Sequence, residues 1–337
     1  MQKINIVDTT LRDGSHAVSH QFIVEQVKNV AAGLDQAGMD YIEISHGDGL
    51  SGSSQNYGWA LCSDQDRLRG AAEVIKNASL TVLLLPGIGT IEDLEMAKEN
   101  GAKAARVATH VTEADIAEQH IKFSKKLGLT TFGFLMMSHM ESKAKILEQA
   151  KLLESYGSDV VYMADSAGAM LPEEVREKIA ELTKNLHVPV GFHAHNNLGL
   201  GIANALAAVD AGATYLDGSL RGLGAGAGNA QTEVLIGVLE KYERPTNIDF
   251  YKIVDAAEDI LAPIATRPQI IDKSALMLGY AGVYSSFLIH TERAAKRFNL
   301  DPRDILVELG KRKMVGGQED MIIDVAYNLF QQKQMEH

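Results

Sequence analysis

"KINIVDTTLRDGSH" spans Lys3 to His16. Its first half contains a short apolar run, Ile4 to Val7, that suits a strand. Its second half places Arg12, Asp13 and His16 where the first strand-to-helix turn should come. An open, doubly wound nucleotide-binding sheet would put a G-x-G-x-x-G turn there. This chain puts ionisable side chains there instead, so the open sheet loses its strongest marker. Each residue also has a plainer reading. Asp13 precedes a glycine and suits a turn, Arg12 suits an ordinary ion pair, and His20 is expected on a solvated loop, with Asp8 structural.

Outward from this stretch, the strand pattern recurs seven times. The candidates are "MDYIEIS" (39–45), "SLTVLLLP" (79–86), "AARVATH" (104–110), "LTTFGFLMM" (129–137), "SDVVYMAD" (158–165), "VPVGFHAH" (188–195) and "ATYLDGSL" (213–220). Between them, apolar residues recur every three to four positions, as in helices. Such segments cover 24–34, 91–97, 113–127, 143–153, 172–182, 200–209 and 232–239. Gly38, Gly101, Gly128, Gly157 and Gly212 fall where helices should end. Eight strand-then-helix units in about 245 residues have the count and length of a (β/α)8 TIM barrel, α/β in class. The rhythm changes near residue 247. The remaining chain reads as helices without strands, after the linker "KYERPTNIDF". The expected division is a barrel over 1–246 and a helical C-terminal domain over 247–337. Asp301 before Pro302 is a good helix start.

Bulk properties narrow the function. The 337 residues are 46% hydrophobic and 23% charged, with a formal net charge of −12. No basic face is built, so nucleic acid and anionic membranes are not expected partners. No apolar run approaches the ~18 residues of a membrane span. The single cysteine, Cys62, excludes an internal disulfide and a cysteine zinc site, and fits a cytoplasmic location. A small-molecule substrate is expected.

In a barrel, active sites sit at the C-terminal strand ends. Those ends here carry Arg12, Asp13 and His16; Glu43, His46 and Asp48; Arg106 and His110; Asp165 and Ser166; His193, His195 and Asn196; Asp217 and Arg221. His193 and His195 are two apart, so a strand aims both at one face. Two imidazoles with the Asp13 carboxylate leave open positions on a divalent ion of the Mn2+, Fe2+, Co2+ or Zn2+ type. Two hydrogen-bonded core histidines are the plainer reading of H-x-H. "GLGAGAGN" (222–229) resembles an anion cradle opening a helix. Leu83, Leu84 and Leu85 alternate faces, so some of them should line a pocket.

"DTTLRDG", "HAHNN" and "GLGAGAGN" resemble the metallolyase superfamily of TIM barrels that includes hydroxymethylglutaryl-CoA lyase. "TLRDGSHAVSHQF", "IEISHGDGL", "LLLPGIGT", "VATHVTEAD", "YMADSAGAM", "GFHAHNNLGLGIANA" and "LMLGYAGVYSSFL" together are similar to its 4-hydroxy-2-oxovalerate aldolase family, over nearly the whole chain. The resemblance implies Asp13, His193 and His195 as ligands of a divalent metal, usually Mn2+. It implies Arg12, His16 and Tyr284 as catalytic residues. Arg12, Ser166, His193 and Tyr284 would contact substrate, which requires the tail to fold back over the barrel mouth. The implied reaction is cleavage of 4-hydroxy-2-oxopentanoate to pyruvate and acetaldehyde, in meta-cleavage catabolism of aromatic compounds. An acylating, NAD- and CoA-dependent acetaldehyde dehydrogenase is the implied channelling partner. Two rivals differ in kind. One is an acyl-CoA lyase or Claisen-type synthase of the same superfamily. The other is a non-catalytic scaffold, which should show a damaged site.

Overall fold

The computed structural model describes residues 2–315 and 317–335. All eight strand candidates form strands: β1 (Asn5–Asp8), β2 (Tyr41–Glu43), β3 (Ser79–Leu84), β4 (Ala104–His110), β5 (Thr130–Met136), β6 (Val160–Asp165), β7 (Val190–Ala194) and β8 (Tyr215–Gly218). Each runs parallel to its sequence neighbour, and β8 pairs with β1, so the sheet closes into the expected barrel. Parallel neighbours need an outer crossover, and a helix follows every strand. These are α1 (Val24–Ala37), α2 (Asp64–Val74), α3 (Ile91–Glu99), α4 (Glu118–Lys126), α5 (Lys143–Ser155), α6 (Pro172–Asn185), α7 (Gly201–Asp210) and α8 (Thr232–Lys241). Helix α1 ends at Gly38, where φ is 89° and a Cβ would lie 2.7 Å from the Asn247 carbonyl oxygen.

Helix α2 is absent from the periodicity reading. Its inward face carries little apolar surface beyond Leu68 and Ala71. The buried Arg67 fills that face, and its guanidinium donates to the carbonyls of Ser45 and His20, both at 3.1 Å. An arginine that packs by its stem and caps carbonyls by its head leaves no hydrophobic period to detect.

The period of two sorts each strand into a barrel-filling face and a helix-facing face. The interior holds Val7, Leu83, Ala104, Ala108, Phe132, Phe134, Val160, Tyr162 and Ala164. Alternate residues such as Ile6, Ile42, Val82, Leu84, Val107, Leu135, Val161, Met163, Phe192 and Leu216 pack outward with the helices. Tyr41, Phe132 and Tyr215 meet edge-on or tilted at the floor, with centroids 5.3–6.0 Å apart. Gly191 is the inward residue of β7 beneath the Tyr162 ring, and a Cβ there would lie 2.3 Å from Tyr162 Cε2.

After α8, the chain forms α9 (Phe250–Asp255) and a π turn (Ala256–Leu261) that pack on α1, with Ile253, Ala256, Ala257 and Leu261 in the barrel's outer core. A second core begins at Leu278. Helices α10 (Lys273–Ala281), α11 (Phe287–Phe298), α12 (Pro302–Lys311) and α13 (Met321–Met335) enclose Phe287, Leu288, Ile305, Leu306, Leu309, Ile322 and Val325. Asp301 caps α12 by accepting from the Arg303 amide, with Pro302 at the first helical position. This tail is pinned over the barrel mouth. Ser285 donates to the Ser166 carbonyl (3.0 Å), Asn197 donates to Ser285 Oγ (2.9 Å), and His139 Nε2 lies 3.0 Å from the Gly282 carbonyl.

Asp8 is fully buried and joins β1 to the start of α8. It accepts from the Thr10 amide (2.9 Å) and from Thr232 Oγ1 (2.7 Å). Burial raises its carboxyl to about 6 against those hydrogen bonds. The protonated form therefore favours the folded state, and that contribution is lost as pH rises from about 4 through 6. Urea unfolding should show Asp8→Asn gaining stability relative to the parent across that window; a difference that is flat with pH would refute the assignment. Gly191→Ala should lower unfolding free energy by about 1–3 kcal/mol through overpacking against Tyr162.

Candidate active site

The site is built where β1 and β7 end. Strand β7 aims His193 and His195 inward, and the turn after β1 brings Asp13 opposite them. Each of the three offers a ligand atom, and these atoms all lie within 4.8 Å of one another. All three residues are buried. Asp13 accepts from Arg12 Nη1 (2.8 Å) through one oxygen and from Asn229 Nδ2 (2.5 Å) through the other. Burial alone would raise the Asp13 carboxyl. The Arg12 guanidinium and then His195, His16 and His193 outweigh it and hold Asp13 well below the usual carboxylate range. Burial lowers His195 to about 3, with Asp13 opposing. His193 Nδ1 contacts Asp217 Oδ2 at 2.7 Å, which leaves Nε2 for the pocket. His195 Nδ1 is buried without a hydrogen-bond partner among the described residues. An anionic carboxylate, a neutral imidazole, a second imidazole oriented by a carboxylate, and a buried nitrogen with no other partner fit a divalent cation.

Arg12 faces the same pocket. Its Nε donates to Glu43 Oε2 at 2.7 Å, so two carboxylates, Glu43 and Asp13, fix its plane. Burial opposes its charge, but Glu43 and Asp13 raise its pKa further above the ordinary arginine value. His16 Nε2 stands 4.0 Å from Asp48 Oδ2. Ser166 Oγ accepts from the Met137 amide at 2.9 Å, which leaves its proton free to donate. Tyr284, in the turn between α10 and α11, lines the pocket beside Arg12, Asp13, Asp48 and Ser166. Burial, then the Asp48 and Asp13 carboxylates, push its phenol well above the usual tyrosine value. The tail thus brings Tyr284 to residues far away in sequence. The inner pocket is small, about 20 Å³, and shares Asp48, Leu85, Met136 and Tyr284 with an adjoining cavity of about 250 Å³. A larger open groove of about 1150 Å³ lies along α8 and α9, lined by residues outside this cluster.

Several expectations change. His20 is not on a solvated loop: it is 5% exposed and stacks on His46 at 3.9 Å, edge-on to His16. The segment after β2 folds over it, and its carbonyl accepts from Arg67 and the Leu61 amide. Burial, then His16, His46 and Arg67, lower His20 to about 2. "GLGAGAGN" closes on itself rather than cradling an anion. The Asn229 amide donates to the Gly222 carbonyl, and a Cβ on Gly228 would strike that same oxygen at 1.8 Å. Its glycines allow close packing and bring Asn229 to Asp13. Leu83 and Leu85 line the inner pocket, whereas Leu84 packs outward. Among the strand-end residues, Arg221 pairs with Glu258, Asp165 caps the Ala169 and Met170 amides, and Asn196 caps Gly201. Glu43, Arg106 and Asp217 were legible only as polar strand ends, and their ion-paired positions come from barrel closure.

Comparison with known proteins is consistent with this geometry. The HMGL-like family model matches residues 3–260, and the DmpG-like communication domain matches residues 269–331. A 4-hydroxy-2-oxovalerate aldolase of Moorella thermoacetica is 66% identical over 332 residues, covering 98% of both chains. One from Carboxydothermus hydrogenoformans is 63% identical over 328 residues, covering 97% of this chain and 98% of that one. The HMG-CoA lyase structure of Bacillus subtilis shares the fold, with a TM-score of 0.67 at 22% identity over 80% of this chain and 96% of that one.

If Asp217 orients His193, Asp217→Asn should weaken binding of a divalent cation, probed with Mn2+, about 10–100-fold. Free-ion electron paramagnetic resonance during a titration measures this, and an affinity equal to the parent's would show that the Nδ1 contact is dispensable.

Proposed function

The chain belongs to the HMGL-like family and, within it, to the 4-hydroxy-2-oxovalerate aldolases; from that premise we propose that it cleaves 4-hydroxy-2-oxopentanoate to pyruvate and acetaldehyde. The observation that carries the reading is the convergence of Asp13, His193 and His195 beside Arg12, with Tyr284 brought in from the tail. Asp13, His193 and His195 would hold the divalent cation, Mn2+ in this reading. When bound, it supplies Lewis-acid polarisation of the 2-oxo group.

The protein's own groups do the rest. His16 accepts the proton of the 4-hydroxyl. The C3–C4 bond breaks, the O–H electron pair becomes the aldehyde carbonyl, and the C3–C4 pair moves to the 2-oxo oxygen as an enolate. Arg12, held rigid by Glu43 and Asp13, stabilises the developing negative charge. Protonation at C3, which returns the proton that His16 accepted, then gives pyruvate. Tyr284 stays a phenol at neutral pH and donates to the 4-oxygen, positioning it for His16. Ser166 Oγ donates to the keto acid. Leu83 and Leu85 meet the aldehyde end, where pocket shape changes preference by about 1–3 kcal/mol.

Helices α10–α13, which carry the communication-domain match, form the surface for an acylating, NAD- and CoA-dependent acetaldehyde dehydrogenase that takes the aldehyde directly. Exposed Leu276, Tyr280, Ile289 and Tyr327 on these helices support that reading. No helix among the described residues is long and apolar enough to cross a membrane. The single cysteine supports a cytoplasmic location, and kinship with the 4-hydroxy-2-oxovalerate aldolases supports a place in aromatic catabolism. An acyl-CoA lyase gains no support from the full-length relatives, which are 4-hydroxy-2-oxovalerate aldolases.

Chelator-stripped protein should release no pyruvate from 4-hydroxy-2-oxopentanoate and should recover on addition of Mn2+. Asp13→Asn should not recover. Failure of the metal-loaded parent to cleave, with and without the dehydrogenase, would overturn the proposal.

A further inference from the structure

Arg106 is the largest inward side chain of β4, flanked along the strand by the inward Ala104 and Ala108. It is fully buried. Its guanidinium carbon packs on a pair of stacked rings, 4.5 Å from the Phe134 centroid and 4.4 Å from that of Tyr162, whose own centroids are 5.6 Å apart. The ring pair therefore packs against one side of the guanidinium, and its N–H groups are left for hydrogen bonds. Nη1 donates to Glu43 Oε1 at 3.2 Å, and Nη2 donates to Asp217 Oδ2 at 2.6 Å. Both carboxylates continue to the pocket. Glu43 holds Arg12 through its other oxygen, and Asp217 Oδ2 also meets His193 Nδ1.

We propose that Arg106 is a positioning residue that sets two separate arms of the site at once: Arg12 through Glu43, and His193 through Asp217. This rests on the function proposed above and names a residue outside the pocket on which that function depends. Strands β2, β4, β7 and β8 contribute to the chain, so it spans the barrel interior and not one edge of it. A single planar cation has the fork needed to join two carboxylates while packed against the ring pair. A lysine ammonium keeps the charge but has neither the fork nor the stacking plane.

The test is Arg106→Lys in the full chain, read by two quantities. Mn2+ affinity, by electron paramagnetic resonance, should fall about tenfold through loosening of His193. At saturating Mn2+, kcat for pyruvate release should still fall about a hundredfold, with a smaller change in KM, because Arg12 acts on charge that develops only in the transition state. Tyr162→Leu removes one ring from beside the guanidinium, leaves every charge, and should move both quantities the same way by several-fold, whereas Tyr162→Phe, which keeps the ring and removes only the phenol hydroxyl beside Asp217, should move neither. Tyr162→Leu decides alone if Arg106→Lys does not fold. A purely structural role predicts a lower melting temperature with Mn2+ affinity and kcat unchanged, and that result overturns the proposal. A parent that neither binds Mn2+ nor cleaves would bring down the underlying function instead, and this inference with it.

Discussion

Arg12, Glu43, Arg106 and Asp217 alternate in sign through the middle of a closed barrel, and His193 ends the chain they form. Isolated charges in such a place would be costly, because desolvation penalises each of them. Here every charge has at least one close opposite partner. The consequence is rigidity more than stability. Removing one member would leave a buried partner uncompensated, so the interior residues depend on one another. The aromatic layer of Phe134 and Tyr162, and the missing side chain at Gly191, are the steric conditions under which Arg106 fits.

The tail depends on this arrangement from the other side. Four helices with their own apolar core are pinned on the loops after β5, β6 and β7 by Gly282, Ser285 and Asn197. That contact delivers Tyr284 to the pocket and roofs the adjoining cavity with Val315, Gly317 and Glu319. A barrel alone would present the Asp13–His193–His195 cluster to open solvent. With the tail in place, Tyr284 meets Asp48, Arg12 and Asp13 inside one small enclosure, where burial and the two carboxylates keep its proton on.

Legibility in the sequence followed the physics of each element. The bounds of "AARVATH" coincide with β4, although its inward Arg106 departs from the small or apolar side chains that fill most of the barrel interior. Helix α2 was not readable, because Arg67 substitutes for an apolar stripe. H-x-H on β7 was readable because a period of two admits one geometry. The burial of His20 is not legible in the sequence, because it comes from the segment after β2 folding over it, a contact between parts of the chain that no local pattern encodes. The glycines of 222–229 were noticed for their composition, but their use was settled by how closely Asn229, Gly222 and Asp13 approach.

The sequence by itself determined the barrel, the helical tail, the inward pairing of His193 and His195, and the chemical types gathered at the strand ends. These follow from local periodicity and from the titration chemistry of individual side chains, which travel with the residue. Tertiary structure alone decided that Glu43, Arg106 and Asp217 join Arg12 to His193, that Leu83 and Leu85 face the pocket while Leu84 does not, and that Tyr284 completes it. Those outcomes depend on closing the sheet and docking the tail, steps that bring together residues more than a hundred positions apart under steric and electrostatic conditions that no single segment contains.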